Sequence, residues 1–210
     1  MSVEIQWINH ASFRLAADDC VVYIDPWKLS SSPADADVVF VSHDHFDHFS
    51  ADDVAAVSGD ATVVVGPVDT VQQLPNGRAL EPGQCLELPG AVIEGVPAYN
   101  IGKDFHPRNN NWLGAVIEIG GVRVYYAGDT DQIPEMSELS EIDVALLPVG
   151  GTYTMNATEA VDACRVIGPK RVLPYHWGDI VGSEDDARAF VDAVSGSAAQ
   201  LLRPGESLPL

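Results

Sequence analysis

The sequence has 210 residues, of which 46% are hydrophobic, so it can bury the core of a domain of ordinary size. Acidic residues outnumber basic ones by 31 to 11, and the formal net charge of −20 disfavours binding to nucleic acids or anionic membranes. The apolar runs are only strand-length, and no basic segment followed by an apolar one opens the chain, so we expect a cytoplasmic protein.

The charge pattern also suggests a salt-rich environment. The carboxylates are spread along the chain, and the basic residues include only three lysines, Lys28, Lys103 and Lys170. An acidic surface that almost lacks lysine resembles proteins of the halophilic type, whose charges are screened over about 3 Å at 1 M salt. At low salt the same charge is expected to destabilise the folded state.

The first half of the chain predicts strands joined by short turns and two helices. A helix is predicted to begin after Ser50, which can cap it ahead of two acidic residues, and a short helix is predicted between Pro67 and Pro75. The apolar segments predict strands at 3–8, 12–15, 21–24, 38–41 and 62–65.

The second half repeats this order of elements. Capping motifs predict helices that begin after Asn156 and Ser183, and Gly120-Gly121 predicts a hairpin. Strands are predicted at 85–88, 91–99, 113–119, 122–126, 144–147 and 171–173, with a closing pair of strands within 201–210. Many strands with few helices predict an α+β fold in one domain over 1–210, with two sheets packed face to face and helices outside.

Three of the six histidines lie in the run Ser42-His43-Asp44-His45-Phe46-Asp47-His48. His43 and His45 alternate along an extended segment, so their rings are expected to point to the same side. A tight turn would then bring Asp47 and His48 towards them. Nitrogen and carboxylate ligands at this density predict a site for two cations open to water, and therefore a metallohydrolase.

Isolated polar residues follow predicted strands elsewhere in the chain. Asp25 follows 21–24, Asp129 follows 122–126, and His176 follows 171–173. Each residue alone has an ordinary explanation, because aspartates often form turns and a half-buried histidine can be satisfied by hydrogen bonds. Their combination with the histidine cluster favours one shared metal site.

This order of ligands resembles that of the metallo-β-lactamase superfamily. The resemblance rests on His43-x-His45-x-Asp47-His48, on Gly128-Asp129-Thr130 and on the late His176, and it covers nearly the whole chain. The branch of ascorbate-6-phosphate lactonase and N-acyl-phosphatidylethanolamine phospholipase D looks most similar, through Trp7-Ile8-Asn9-His10-Ala11, 149–155 and 176–179. Asn9 departs from that branch's usual glycine. The resemblance implies a four-layer αββα sandwich with two mixed sheets.

The resemblance also implies a binuclear site with two divalent metal ions. The first ion would be held by His43 and His45, the second by Asp47, His48 and His176, and Asp129 would bridge the two. Zinc suits this set of ligands, and Mn²⁺ or Fe²⁺ fits it too. A metal-bound water or hydroxide would be the nucleophile, with Asp47 and Asp25 as catalytic residues, and Asp25 would orient a ligand histidine or that water.

Two residues are candidates for the remaining ligand of the first ion. The superfamily expects another histidine between the cluster and Asp129, and His106 is the histidine available there. Asn100 is the alternative, because it lies closer to the end of a predicted strand. We expect His106, since imidazole suits a borderline metal better than an amide oxygen does. His10 is expected to pack or hydrogen-bond near the site without binding a metal.

Two aromatic residues are candidates for the wall of the pocket. Tyr153 follows the Gly150-Gly151 turn and would stabilise a developing oxyanion, unless it is an ordinary loop aromatic. Trp177 follows His176 and is a candidate for substrate binding, although core packing is the commoner fate of tryptophan.

Basic residues near His106 raise the question of substrate charge. Lys103 and Arg108 flank His106, and Lys28 follows Asp25 by three residues. Their position in a chain poor in positive charge suggests that Lys103 and Arg108 bind an anionic small molecule. Charge balance for nearby aspartates is the alternative explanation.

The predicted function is metal-dependent hydrolysis of a small ester, lactone or phosphodiester. A nuclease is one alternative, which the short chain and the charge of −20 disfavour. A non-catalytic metal-binding sensor on the same fold is the other. No nucleic-acid or membrane partner is expected, and the oligomeric state stays open, a homo-oligomer included.

Overall fold

The structure, a computed structural model, describes residues 2–210, and these form fourteen strands and four α-helices. The strands are β1 (Glu4–Asn9), β2 (Ser12–Ala16), β3 (Val21–Ile24), β4 (Ala36–Phe40), β5 (Ser58–Gly66), β6 (Gly77–Ala79), β7 (Cys85–Leu88), β8 (Ala91–Pro97), β9 (Leu113–Ile119), β10 (Val122–Tyr126), β11 (Val144–Pro148), β12 (Arg171–Tyr175), β13 (Ala198–Ala199) and β14 (Ser207–Pro209). The helices are α1 (Ala51–Val57), α2 (Val68–Val71), α3 (Ala157–Ile167) and α4 (Glu184–Ala193). Within residues 2–210, no helix combines the length and the apolar character that crossing a membrane requires.

The strands form two mixed sheets of seven strands each. The first sheet has the order β14-β1-β2-β3-β4-β5-β6, and the second has the order β13-β12-β11-β10-β9-β8-β7. In the first sheet the strands from β14 to β3 pair antiparallel and those from β3 to β6 pair parallel. In the second, β7 to β10 pair antiparallel and β10 to β13 pair parallel. The predicted α+β fold with two mixed sheets is confirmed.

The inner faces of the two sheets meet in one apolar core. Phe13 of the first sheet contacts Tyr126 and Tyr175 of the second, with ring centroids 6.2 Å and 5.7 Å away. Both contacts are edge-to-face, a geometry that aromatic rings prefer. On the outer face of the first sheet, Val54 and Val57 of α1 join a smaller apolar cluster, while α3 packs against β11 and α4 against β12. The helices therefore form the outer layers of the αββα sandwich.

The structure departs from the predicted elements at the end of the chain. The closing pair of strands predicted within 201–210 is wrong, because β14 is the one strand there and it pairs with β1 at the edge of the first sheet. β6 and β13 are two further strands that no prediction covers. Both are very short and largely exposed, so they lack the apolar pattern that marks a strand in a sequence.

Strand direction explains how distant ligands meet. β3 and β4 run parallel, so Asp25 and the histidine run leave the first sheet side by side. β10, β11 and β12 run parallel in the second sheet, so the segments that carry Asp129 and His176 leave it at a common edge. Hydrogen bonds and ring contacts between these segments bring both edges together.

Candidate metal centre

The histidine run forms a compact turn directly after β4. The backbone N–H groups of His48 and Phe49 both donate to the carbonyl oxygen of His45, at 3.0 Å and 2.8 Å. His43 Nε2 lies 3.1 Å from His45 Nδ1, and the ring centroids of His43 and His48 are 4.1 Å apart. The predicted turn is therefore present, and it gathers the three imidazoles.

His106 joins the first group of nitrogen ligands. His43, His45 and His106 each offer a nitrogen, and the three nitrogens lie within 4.8 Å of one another. Asn100 lies behind His106, because its Oδ1 accepts a hydrogen bond from His106 N at 3.0 Å and lies 2.9 Å from His106 Nδ1. Of the two residues considered for this position, the structure places His106 in the group and Asn100 as its support.

Burial keeps two imidazoles of the first group, His43 and His45, in the neutral form that binds metals. It holds the pKa of His43 well below the usual value, and it also lowers the pKa of the half-buried His45. Neighbouring imidazoles add to both shifts. Both rings are therefore neutral near pH 7 and keep a free lone pair.

A second group contains His10, Asp47, His48 and His176, with ligand atoms within 4.8 Å of one another. His10 Nε2 lies 3.2 Å from Asp47 Oδ2, and the carbonyl oxygen of His10 accepts a hydrogen bond from His176 N at 3.0 Å. Burial alone would raise the pKa of Asp47, but the hydrogen bond with His10 and the adjacent charge of His48 bring it below its usual value. Asp47 is therefore an ionised carboxylate, and His10 makes the hydrogen bond near the site that the sequence predicts.

Asp129 lies between the two groups. Its Oδ1 is 3.2 Å from His48 Nε2, and its Oδ2 is 3.1 Å from His176 Nε2 and 3.4 Å from His106 Nε2. Burial alone would raise the pKa of Asp129, but the neighbouring His176 and His48 hold it well below the usual range. The carboxylate is thus ionised and contacts both groups.

Several polar atoms in these two groups are buried without a hydrogen-bond partner, and this indicates the kind of ligand that the site binds. Within residues 2–210, the Nε2 atoms of His48, His106 and His176 and the Oδ1 atom of Asp129 are buried without a hydrogen bond of acceptable geometry. Leaving such an atom unsatisfied costs about 1–3 kcal/mol, so native proteins rarely gather several. Imidazole and carboxylate groups are good ligands for Zn²⁺ and similar cations. The residues present therefore fit a divalent metal centre.

Asp25 supports this centre from behind His48. Its carboxylate is fully buried and accepts hydrogen bonds from Ser42 N at 2.7 Å, Ser42 Oγ at 2.5 Å and the Tyr126 hydroxyl at 2.7 Å. Its Oδ2 also lies 2.7 Å from His48 Nδ1. Asp25 therefore contacts His48 from behind and ties the first sheet to Tyr126 of the second, while its role towards bound metal stays a prediction. The sequence gives no signal for Ser42 or Tyr126 as partners of Asp25.

Gly128 fixes the position of Asp129. It has a φ of +69°, and a methyl group added to it would lie 2.7 Å from the carbonyl oxygen of Leu113 and 3.2 Å from Ala98 Cβ. A residue with a side chain would meet both backbone strain and a rigid neighbouring strand at this position.

Gly128→Ala is expected to lower the free energy of unfolding by about 2–4 kcal/mol, because overpacking adds to the positive-φ strain. The measurement is urea unfolding of the metal-free protein. Gly83→Ala is the matched control, since Gly83 has a φ of +79° with no atom within 4 Å of the added methyl. Equal losses in the two variants would show that the close approach to Leu113 carries no cost.

A cavity of about 320 Å³ opens onto the two groups of ligands. It is lined by His45, Phe46, Asp47, Phe105, His106, Asp129, Tyr153 and Ile180. Tyr153 therefore lies in the wall where the sequence places it, and its role there stays a prediction. Phe46, Phe105 and Ile180 are not predicted from the sequence. Each of the three is adjacent in the sequence to a residue of a predicted site loop, and this is the one feature from which their position could have been predicted. An apolar residue beside a site loop does not by itself indicate a role in binding or catalysis.

Trp177 is not among the residues that line this cavity. It is buried, and its ring packs against Trp7 with centroids 4.8 Å apart. This arrangement corresponds to the core-packing alternative.

The basic residues of the site loops lie outside the cavity lining as well. Lys103 pairs with Asp131 at 2.6 Å and Arg108 pairs with Glu135 at 2.7 Å. Lys28 pairs with an aspartate in the same way, at 2.8 Å. These ion pairs favour charge balance over a role in substrate binding.

Comparison with known proteins identifies the family. Residues 4–176 match the family described as "Beta-lactamase superfamily domain". The chain belongs to the metallo-β-lactamase superfamily. Two relatives in that superfamily carry the name "UPF0173 metal-dependent hydrolase". The one from Methanoregula boonei is 33% identical over 99% of this chain and 98% of its own length, and the one from Thermococcus onnurineus is 31% identical over 99% and 100%.

Two solved structures share the fold of this chain. Igni18, described as a novel metallo hydrolase from the hyperthermophilic archaeon Ignicoccus hospitalis, is 26% identical and superposes with a TM-score of 0.82 over 100% of this chain and 99% of its own. YhfI from Bacillus subtilis, described as a metallo-beta-lactamase fold protein, is 18% identical with a TM-score of 0.80 over the whole of both chains. The predicted superfamily is confirmed, and the predicted branch within it stays a prediction.

Proposed function

We propose that this metal-dependent hydrolase of the metallo-β-lactamase superfamily works through a binuclear centre and cleaves a small ester, lactone or phosphodiester. The observation that carries the proposal is the position of Asp129. Its carboxylate contacts His106 of the first group and both His48 and His176 of the second. Its Oδ1 atom and the Nε2 atoms of these three histidines are buried without a hydrogen bond of acceptable geometry. One carboxylate that contacts two sets of nitrogen ligands is well placed to be shared by two neighbouring cations.

The ligands divide between two ions. The first ion would be held by His43, His45 and His106, the second by Asp47, His48 and His176, and Asp129 would be shared. When bound, the ions act as Lewis acids towards the substrate's carbonyl or phosphoryl oxygen and lower the pKa of bound water. Zinc is the metal we expect, and Mn²⁺ or Fe²⁺ suits the same atoms.

The surrounding residues position these ligands. Asp25 holds His48, His10 holds Asp47 and Asn100 holds His106, each through the hydrogen-bond distances described above. Rings and carboxylates that are already fixed lose little conformational freedom when the ions bind. Removing such a supporting contact commonly lowers metal affinity or activity by about 10- to 100-fold. We propose that the Tyr153 hydroxyl in the cavity wall donates a hydrogen bond to the oxyanion that develops during hydrolysis.

Metal analysis with a substrate panel tests the proposed function. The protein would be loaded with zinc in molar KCl, which screens its net charge, and assayed with lactones, carboxylic esters, phosphodiesters and single-stranded RNA. We expect about two metal ions per chain, as in two-metal hydrolases, and hydrolysis of an ester, lactone or phosphodiester that a chelator abolishes. RNA cleavage alone would indicate a nuclease, and stoichiometric metal without turnover would indicate a sensor. Absence of stoichiometric metal would defeat the proposal.

His106→Ala is expected to remove about one of the two bound ions, because it deletes a nitrogen of the first group. Asn100→Ala is the matched control, since Asn100 contacts His106 from behind and belongs to neither group of ligands. This variant should keep both ions at saturating zinc and bind the first about 10- to 100-fold more weakly. Metal content after gel filtration reads out both variants. Full occupancy in His106→Ala would exclude His106 as a ligand.

A further inference from the structure

Large apolar side chains surround the mouth of the cavity. Within residues 2–210 the large hydrophobic side chains that are exposed are Phe46, Val68, Ile101, Phe105, Val166 and Ile180. Three of them, Phe46, Phe105 and Ile180, line the cavity above the metal ligands. Apolar groups scattered singly on a surface need no explanation, but exposed apolar groups that gather around one cavity indicate a ligand.

Phe46 and Phe105 each pack against an aromatic neighbour. The Phe46 ring, which is 70% exposed, packs edge-on against Trp27 with centroids 6.1 Å apart. Phe105 packs edge-on against Tyr153 at 4.7 Å. Phe46 also lies between two predicted ligands, His45 and Asp47, so the turn that gathers the ligands fixes its position. The apolar wall is therefore built into the same frame as the proposed metal centre.

Charge around the cavity argues against a charged substrate. The charged residues in its lining are the carboxylates Asp47 and Asp129, both of which would face the metal ions. Lys103 and Arg108 are paired with carboxylates outside the lining, and the chain carries a formal net charge of −20. Apart from the metal ions themselves, a free anionic group on the substrate would find no unpaired cation among the lining residues, and the net negative charge of the chain would repel it.

We propose that the substrate is an uncharged ester or lactone whose apolar acyl or alkyl group packs against Phe46, Phe105 and Ile180. This inference rests on the proposed hydrolase function and narrows it, because it excludes phosphodiesters and anionic lactones. The scissile bond would face the metal ligands at the base of the cavity, while the apolar group displaces water from the aromatic wall. The free energy of that displacement would set substrate preference.

Binding of hydroxamates to the zinc-loaded protein tests the inference without turnover. Acetohydroxamate, butyrohydroxamate and hexanohydroxamate share one metal-binding group and differ only in chain length, and the monohydroxamate of adipic acid replaces the last methyl of the series by a carboxylate. We expect the affinity, measured by calorimetry, to rise by up to about fourfold for each methylene until the cavity is filled. The adipic compound should bind more weakly than hexanohydroxamate.

Phe105→Ser and Ile180→Ser, each compared with the unchanged protein at equal zinc content, should flatten this dependence of affinity on chain length. Val166→Ser is the matched control, because Val166 is 44% exposed on α3, close to the 46% of Phe105, and does not line the cavity. The Val166→Ser variant should keep the full dependence of hydroxamate affinity on chain length.

The outcomes separate this inference from the proposed function. Acetohydroxamate binding with no dependence on chain length, or tighter binding of the adipic compound, would overturn the substrate class and leave the metal centre standing. Failure to bind zinc, or to bind any hydroxamate when loaded with zinc, would overturn the proposed function and the inference with it. A dimer that Phe46→Ser dissociates, with an unchanged hydroxamate series, would assign the apolar wall to contact between copies and also overturn the inference.

Discussion

Asp129→Asn is expected to abolish binding of at least one metal ion and to lower kcat/KM by about a thousandfold or more. Asparagine has nearly the same shape, so the fold around it should persist. Its amide has one oxygen and no charge, whereas the carboxylate offers Oδ1 to His48 and Oδ2 to His106 and His176. The variant therefore removes the shared ligand while leaving each group of histidines in place.

Zinc content and steady-state kinetics in the same buffer read out the Asp129 variant. Asp143→Asn is the matched control: its carboxylate accepts hydrogen bonds from Arg123 N at 2.9 Å and Lys170 Nζ at 2.6 Å, and it belongs to neither group of ligands. We expect the control to keep full metal content and activity. Two ions and normal turnover in Asp129→Asn would remove Asp129 from the centre.

Asp25→Asn is expected to lower the free energy of unfolding of the metal-free protein by about 3–5 kcal/mol. The carboxylate accepts hydrogen bonds from Ser42 and Tyr126 and contacts His48, and it has no exposed surface. An amide would turn an NH₂ group towards one of these donors and leave the donor unpaired. Asn is the suitable replacement because Asp25 has a φ of +42°, a conformation that Asn tolerates better than most residues.

Urea unfolding without metal separates this effect from loss of metal binding. Tyr126→Phe is the control, because it removes one of the hydrogen bonds to Asp25 and keeps the ring in the core; a loss of about 1–2 kcal/mol is expected. A loss in Asp25→Asn no larger than that in Tyr126→Phe would show that the buried carboxylate is not the centre of this network.

Much of the fold follows from local patterns that the sequence displays directly. Apolar periodicity predicts β9 and β10 with their observed bounds, and Gly120 and Gly121 between them both have positive φ, as a tight hairpin requires. The capping box of α3 is present with Asn156 and Glu159. In these cases the residues from which the strand, hairpin or helix is predicted also make the contacts that stabilise it.

The residues of the site are harder to predict where the conformation of a loop determines which side chain reaches the ligands. The segment between β8 and β9 has no apolar periodicity from which its conformation could be predicted. The sequence therefore does not decide whether Asn100 or His106 is the remaining ligand of the first ion. In the structure Asn100 N donates to the carbonyl oxygen of His106 at 2.8 Å, and this contact closes a loop that turns the imidazole inward. Lys103 and Arg108 show the same limit, because their partners Asp131 and Glu135 are more than twenty residues away in the chain.

We propose that two metal ions bind on either side of Asp129. Crystals of the zinc-loaded protein, with diffraction data collected above and below the zinc absorption edge, test it most directly. We predict two anomalous peaks about 3.5–4 Å apart, one near His43, His45 and His106 and the other near Asp47, His48 and His176. A single peak, or peaks away from Asp129, would contradict the binuclear centre.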